Sequence, residues 1–330
     1  MLSPFLLAQV SRPLKTIDRR LPWVEKLIQA PLSEEDVPLV RAACRQSGGK
    51  RMGAFYHWYL QKMLVANAVR GSDRHRLLTL MERADHTDYT AAESLLDSAR
   101  GVLAVVPHHA HYILSIVMMA ERYREKRQVL LFYGRPEENP GNEVFDRLSQ
   151  WFWGPCSNVG FVHDTPKGLA KAIKALRSGA LVFIMPDALR SEEHALAIPF
   201  CGRPLSVMLG TPVLARKTDA AVLPMISTPH GCGLAFKTQF DNVVPVSNDA
   251  FLVADDMQRR VADYGVMRRI FAFYEKFIST QMLYWQNARR HLSIDGEYRG
   301  LSRAQVGLMS ELIPHDPDLQ PPALVVDIRG

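Results

Sequence analysis

The sequence predicts an α/β fold in which a mixed central sheet is flanked by helices and preceded by a helical N-terminal portion. From residue 101 onward, short apolar runs alternate with segments of helical periodicity. This alternation is typical of strands that are joined by crossover helices. Of the 330 residues, 47% are hydrophobic and 22% are charged, a composition typical of a globular protein with a substantial core.

Helices are predicted before residue 99. Residues 33–36, Ser-Glu-Glu-Asp, form a cap-like start for a helix that continues to about residue 45. Over residues 51–70, aromatic and aliphatic side chains recur at helical spacing. This stripe predicts a face that packs in the core, and a face directed toward lipid or acyl chains is the alternative.

Residues 99–245 are predicted to form an α/β core. We expect strands over 102–106, 128–133, 158–162, 181–185, 195–199, 220–226 and 233–240, and helices over 111–123, 141–151, 166–178 and 206–217. Residues 246–330 are predicted to hold one long helix within 248–293, or two with Gly265 as the candidate break, and then an extended tail. No linker composition separates these parts, so residues 1–330 are expected to form one domain.

Three histidines mark the end of the first predicted strand. His108, His109 and His111 follow the apolar run 101–106 and precede a predicted helix. Ligands of α/β sheets bind at the carboxyl ends of strands, and histidine can accept a proton near neutral pH. We therefore predict an enzyme in which His108 acts as a base, while a core or helix-capping role is the alternative for each histidine. No metal site is predicted, because no Cys or carboxylate partner stands at a recognisable spacing.

Two other predicted strand ends carry polar side chains. The strand over 181–185 leads into Asp187, whose carboxylate can orient a histidine or cap the loop backbone. The strand over 128–133 leads into Arg135, which can bind phosphate bidentately or remain on a solvated surface. The candidate catalytic residues are His108, His111 and Asp187, and the candidate substrate-binding residues are Arg135, Asn142, Arg190, Glu192, Glu193 and Arg203.

Several segments occur in an order and spacing that match a known family. They are His108 after its strand, Met185-Pro186-Asp187, residues 198–204 (Ile-Pro-Phe-Cys-Gly-Arg-Pro), residues 214–218 (Leu-Ala-Arg-Lys-Thr) and Val222-Leu223-Pro224. Over about residues 95–245 the chain resembles the lysophospholipid/lipid A biosynthesis acyltransferase family. Trp285 with Arg289-Arg290 is similar to the Trp–Arg-Arg ending of that family. The resemblance implies a single glycerolipid-acyltransferase-like domain that uses a histidine base.

The chain departs from the family pattern at the acid that supports the histidine. The family has Asp or Glu five positions after the histidine, whereas this sequence has Ile113. Asp187, Glu192, Glu193 and His111 are the candidate replacements. The usual N-terminal membrane helix of the family is also not evident, because no window approaches 18 consecutive apolar residues. These departures predict a soluble relative that acts on a molecule smaller than lipid A.

The resemblance implies transfer of an acyl group from an acyl carrier protein or coenzyme A thioester to a hydroxyl or amine. The acceptor is expected to be a small molecule or a lipid, within specialised metabolism, and no cofactor is expected. A net charge of +6 and a pI of 9.2 favour anionic partners, among them an anionic membrane surface. Four dispersed cysteines predict a cytoplasmic protein, and peripheral contact with the inner membrane is left open.

Three other functions remain open at this point. They are transfer from an aminoacyl-tRNA, a non-catalytic protein that binds a lipid or a carrier, and a metal-dependent hydrolase that uses the three histidines. A carboxylate within about 3.2 Å of a ring nitrogen of His108 or His111 would favour catalysis over the binding role.

Overall fold

The computed structural model describes residues 74–137, 142, 152–154, 157–187, 195–201, 203–230, 235–246 and 256–288. Among these residues the helices are α1 (Arg74–Ala84), α2 (Thr90–Leu96), α3 (Tyr112–Tyr123), α4 (Pro166–Arg177), α5 (Gly210–Thr218) and α6 (Asp256–Ile278), and a short 3₁₀ helix spans Met282–Tyr284. The strands are β1 (Val102–Val105), β2 (Val129–Tyr133), β3 (Val159–His163), β4 (Leu181–Ile184), β5 (Ala195–Phe200), β6 (Arg203–Met208), β7 (Ala221–Pro229) and β8 (Phe236–Phe240). The helices predicted over 33–45 and 51–70, and that over 141–151 apart from residue 142, lie outside the described residues.

A six-stranded sheet has the order β3-β2-β4-β1-β7-β8. The first five strands in this order are parallel, and β8 is antiparallel to β7. Every residue of β1 is buried, as expected for a parallel strand that is covered on both faces. Val105 pairs with Ile184 of β4 and with Pro224 of β7. The carboxyl ends of β1 and β4 therefore lie side by side, and β7 continues past them to Pro229.

Helices cover both faces of the sheet. Helices α1, α2 and α3 pack on one face, and α4, α5 and α6 pack on the other. The side chains of β1 alternate between the two cores, with Val102 and Ala104 in the first and Leu103 and Val105 in the second. The connection from β1 leaves over the first face and that from β4 leaves over the second. Ligands of α/β sheets bind in the crevice that such a divergence creates.

The structure confirms the predicted fold class, a mixed sheet flanked by helices, and it contains every strand that the sequence predicts. The predicted start of the helix over 206–217 is wrong, because residues 203–208 form β6. Strand β6 pairs with β5 in an antiparallel hairpin that turns through Cys201 at a φ of 50°. The two-residue loop between Phe200 and Arg203 contains a glycine, and glycine in a short loop between two apolar runs favours a hairpin.

The candidate break at Gly265 is not observed, and the alternative of one long helix holds for residues 256–278. Helix α6 continues from Asp256 to Ile278 without interruption. A glycine within a helix costs about 1 kcal/mol relative to alanine. The neighbouring side chains of Val266, Met267 and Ile270 are buried in the second core, and this packing stabilises the helix more than one glycine destabilises it.

The Leu-Ala-Arg-Lys-Thr segment of α5 connects two helices. Arg216 donates hydrogen bonds from two guanidinium nitrogens to the two carboxylate oxygens of Asp263 on α6, and both side chains are almost fully buried. The hydroxyl of Thr218 donates to the carbonyl of Leu214 in the last turn. This motif therefore holds α5 against α6 on the face of the sheet that also carries α4.

Candidate active site

The loops after β1 and β4 place two polar side chains at the same level of the sheet. His108 and Asp187 each follow the last paired residue of their strand, Val105 or Ile184, by three positions. The amide of Val106 donates to the carbonyl of Ile184, which extends the pairing by one residue. Because adjacent parallel strands lie about 4.8 Å apart, two loops of equal length bring these side chains into contact.

His108 and Asp187 form a hydrogen-bonded pair. Nδ1 of His108 lies 2.7 Å from Oδ1 of Asp187, and the backbone amide of His108 donates to Oδ2 at 2.9 Å. The Asp187 side chain is fully buried, whereas the His108 side chain is 19% exposed. Nε2 of His108 makes no hydrogen bond with the described residues. The edge of the Tyr112 ring packs against the His108 ring, with centroids 5.0 Å apart, so the imidazole is held on two sides.

The charge of Asp187 is stabilised by several donors. The indole Nε1 of Trp285 donates to Oδ2 at 2.7 Å, and the side-chain amide of Asn287 lies 3.3 Å from the same oxygen and donates to the Asp187 backbone carbonyl at 2.7 Å. Burial by itself would raise the pKa of Asp187. The His108 ring, the hydrogen bonds from His108 and the indole of Trp285 outweigh it, so that this pKa lies below its usual value. Asp187 is therefore an anion at neutral pH although its side chain is buried.

Ile113 occupies the position at which the family has its acid, and a different carboxylate stands beside His108. Ile113 lies in the first turn of α3 and is buried in the apolar core on that face. A carboxylate at this position would be buried among aliphatic side chains, which strongly disfavours its ionised form. The carboxylate beside His108 is that of Asp187, in the loop after β4. Asp187 lies 79 positions after His108 in the chain.

His109 is directed away from this pair. Its ring is fully buried, and Nδ1 lies 2.7 Å from the carbonyl oxygen of Ser227, while Nε2 lies 3.3 Å from that of Gln281. Burial lowers the pKa of His109 to about 4, against the opposing effect of the two carbonyls and of Asp187. The ring is therefore neutral at pH 7. The shorter contact indicates that Nδ1–H donates to Ser227 and joins the loop to β7.

This buried histidine makes the stability of the fold sensitive to acid. Between pH 6.5, the ordinary pKa of histidine, and pH 4, the unfolded chain binds more protons at His109 than the folded chain does, so stability falls as the pH falls. We expect this residue to lower the free energy of unfolding by about 2 kcal/mol between pH 7 and pH 5. His109→Asn, whose amide can still donate to Ser227, should remove that part of the pH dependence in urea unfolding. The exposed His75→Asn is the control, and an unchanged slope for His109→Asn would contradict the prediction.

The other candidate residues have different surroundings. His111 precedes α3 and is fully buried, with its ring 6.0 Å from that of Phe236. Arg135 is exposed and follows β2 at the same level as Asp187, while the side-chain amide of Asn142 donates to the carbonyl of Gly134. Arg203 begins β6. Arg190, Glu192 and Glu193 lie outside the described residues.

Two classes of feature are not found in the part of the chain that the structure describes. No three His, Cys, Asp or Glu side chains in these ranges are grouped so that they could hold a metal ion. None of the described helices is both long enough and apolar enough to cross a membrane.

Residues 55–285 match the family model for the bacterial lipid A biosynthesis acyltransferases. The chain belongs to this family. The match extends beyond the segment over which the resemblance was recognised, and it includes His108, Asp187 and Trp285. Membership of the lipid A acyltransferase family indicates acyltransferase chemistry as the general activity. No curated protein matches the sequence.

Sequence reasoning found part of this site. It selected His108 and included Asp187 among the replacements for the missing acid. It noted Trp285 only because Trp285 and Arg289-Arg290 are similar to the Trp–Arg-Arg ending of the family, and it did not select Asn287. Both residues lie about 100 positions after Asp187, and no local pattern connects them with the strand ends.

Proposed function

We propose that this lipid A acyltransferase family member transfers an acyl group from a thioester to a hydroxyl or amine, with His108 as general base and Asp187 as its supporting acid. The observation that carries the proposal is the 2.7 Å contact between Nδ1 of His108 and the buried carboxylate of Asp187. A hydrogen bond from Nδ1–H to a carboxylate selects the tautomer in which Nε2 has a free lone pair. That nitrogen is the atom available to a substrate.

The reaction then proceeds through two proton transfers. Nε2 of His108 takes the proton of the acceptor O–H or N–H as the acceptor oxygen or nitrogen attacks the thioester carbonyl. The imidazolium that forms is stabilised by the negative charge of Asp187. The C–S bond breaks, the thiolate receives the proton from Nε2, and the products are an ester or amide and a free thiol. His108 is neutral again at the end of the reaction. The bonds and protons therefore balance without a metal or cofactor.

A non-catalytic role is the principal alternative. A protein that only held a lipid or a carrier would have no need of a buried anion beside a histidine, because an unneeded buried charge is unfavourable. The contact of Asp187 with Nδ1 also lies within the hydrogen-bonding distance that favours catalysis. These two arguments support the enzymatic function.

The surface of α4 favours a carrier protein as the thioester donor. Lys167, Lys171, Lys174 and Arg177 are exposed on one face of this helix, which contains no acidic residue. None of the four forms an ion pair within the described part of the chain. Helix α4 begins just after the carboxyl end of β3. His108 follows the carboxyl end of β1, so both lie on the same side of the parallel strands. Strand β3 lies three positions from β1 in the sheet, or about 14 Å.

An acidic carrier fits this face better than a membrane or an RNA does. A helix that lies on a membrane inserts an apolar face. The apolar face of α4 is buried against the sheet, at Gly168, Ala172, Ala175 and Leu176, and one exposed leucine, Leu169, does not form a second apolar face. RNA-binding surfaces commonly include aromatic side chains for stacking, and α4 contains none. The cations of α4 would speed the encounter with an acidic protein by long-range attraction.

A thiol-release assay tests the proposed activity. Purified protein is mixed with acyl carrier protein or coenzyme A thioesters of several chain lengths and with pooled hydroxyl and amine acceptors. We expect release that depends on the acceptor and produces an ester or amide that mass spectrometry detects. Release without any acceptor would indicate hydrolysis, and its absence from every donor and acceptor pool would contradict acyl transfer.

Reversing the charge of α4 is expected to weaken the use of a carrier-bound donor. The variant Lys167→Glu/Lys171→Glu/Lys174→Glu should raise KM for the acyl carrier protein thioester by about tenfold or more at low salt. KM for an uncharged N-acetylcysteamine thioester should not change. The control Arg83→Glu/Arg269→Glu/Lys276→Glu changes the net charge equally at exposed positions on α1 and α6. An equal rise in KM for both variants would attribute the effect to net charge and would contradict a docking face on α4.

A further inference from the structure

We propose that Trp285 is a positioning residue for the acyl transfer: its indole N–H fixes the Asp187 carboxylate so that one oxygen remains for His108. Asn287 assists it. This inference rests on the proposed function, since it concerns the acid that supports the base. The indole N–H of Trp285 bonds Oδ2 of Asp187, so Trp285 acts on the base through Asp187.

The hydrogen bonds to Asp187 are distributed unequally between its two oxygens. Oδ2 lies near three donors, the His108 amide at 2.9 Å, the Trp285 indole at 2.7 Å and the Asn287 side-chain amide at 3.3 Å. Oδ1 lies 2.7 Å from Nδ1 of His108. A free carboxylate has a broad, twofold torsional preference and exchanges its oxygens easily. Donors that converge on Oδ2 hold the group in one orientation and leave Oδ1 directed at the imidazole.

The indole is itself rigidly placed. Its ring is almost completely buried and packs edge-on against Phe200 of β5, with centroids 5.2 Å apart. The backbone on either side of Trp285 is bonded to the histidine loop, because the Ala110 amide donates to the Tyr284 carbonyl and the Gln286 amide donates to the His108 carbonyl, each at 2.8 Å. The segment after α6 thus bonds both the loop that carries His108 and the carboxylate of Asp187.

The position of the acid explains the need for such a residue. An acid on α3 would be held by the regular backbone of a helix. Asp187 lies in the loop after β4, where regular backbone bonding has ended, so its side chain needs donors from another part of the chain. Pre-organisation of a catalytic group by such partners lowers the cost of reaching the reactive geometry.

Trp285→Phe tests this inference, because it removes the N–H and keeps an aromatic ring. We expect kcat to fall about 10–100-fold, the usual effect of losing a residue that orients a catalytic ligand, while KM for the thioester changes little. The far-downfield proton resonance of His108 Nδ1–H should shift or disappear. Tyr274→Phe is the control, since it removes one buried donor that bonds the Val105 carbonyl at 2.7 Å. That variant should keep both kcat and the resonance.

Several results would overturn the proposal. One is a folded Trp285→Phe protein with wild-type kcat and an unchanged Nδ1–H resonance, and another is a loss of kcat that Tyr274→Phe reproduces. If Trp285→Phe does not fold, 3-benzothienylalanine incorporated at position 285 replaces the indole N–H with sulfur and keeps the shape of the ring, and an unaltered kcat and resonance in that protein would also overturn the proposal. The resonance can be measured without turnover. A shift on Trp285→Phe in a protein that transfers no acyl group would uphold the positioning role and reject the proposed reaction.

Discussion

Replacing His108 with alanine is expected to lower kcat for acyl transfer by about 10²–10⁴-fold, the usual contribution of a general base. The base acts in the transition state and not in binding the donor, so kcat and kcat/KM should fall together while KM stays nearly constant. The His108 backbone amide and the Trp285 indole still donate to Asp187 in this variant, so the fold should persist. Acceptor-dependent thiol release measures the change.

His75→Ala is the matched control for His108→Ala. His75 is exposed on α1, so its loss changes the histidine count without altering the crevice. Circular dichroism and thermal unfolding of both variants check that each is folded. A folded His108→Ala protein that retains activity within a few-fold of the wild type would exclude His108 as the base. In that case His111 becomes the next residue to replace.

Asp187→Asn is expected to reduce kcat by up to about 10⁴-fold, the effect of the corresponding change in a Ser-His-Asp triad. The physical reason is the tautomer of His108. The His108 amide and the Trp285 indole both donate toward the position of Oδ2, so the asparagine must place its oxygen there. Its NH₂ group then faces Nδ1 of His108. Nδ1 becomes an acceptor, the proton moves to Nε2, and that nitrogen can no longer act as a base.

Asp85→Asn is the matched control for Asp187→Asn. It shows whether the loss of any hydrogen-bonded carboxylate lowers kcat, or only the loss of the one that sets the tautomer of His108. Asp85 accepts hydrogen bonds from the Tyr89 hydroxyl and the Thr87 amide and forms a bridge with Phe236 at the start of β8, which lies two positions from β1 in the sheet. We expect Asp85→Asn to keep nearly full activity. Full activity in Asp187→Asn, with the protein folded, would show that the tautomer of His108 does not depend on Asp187.

The strand ends were the most predictable part of the site. Val-Pro-His at 106–108 and Met-Pro-Asp at 185–187 both follow short apolar runs, and side chains just past parallel strands meet at one edge of the sheet. The sequence therefore made Asp187 a candidate partner of His108. It left Glu192 and Glu193 as equal candidates, because the pairing of β4 with β1 cannot be read from separate strands.

The parts of the fold that were predicted wrongly or left open share a cause. The start of α5 was placed too early because the run over 206–209 fits a helix as well as a strand, and its pairing partner in β5 decided between them. Gly265 was a candidate break because propensity disfavours it, but α6 is stabilised by burial of its apolar side chains against the sheet and α5. Long-range packing determined both outcomes.

The sequence by itself determined the α/β class, the strands and the histidine at the end of β1, because these depend on local periodicity and on the chemistry of single residues. Only the tertiary structure decided which carboxylate stands beside His108 and which residues hold that carboxylate. His108, Asp187 and Trp285 come from three distant parts of the chain, and their contacts depend on strand order, register and the return of the segment after α6. Hydrogen bonds between groups so far apart in sequence leave no periodic pattern, so the folded chain alone brings them together.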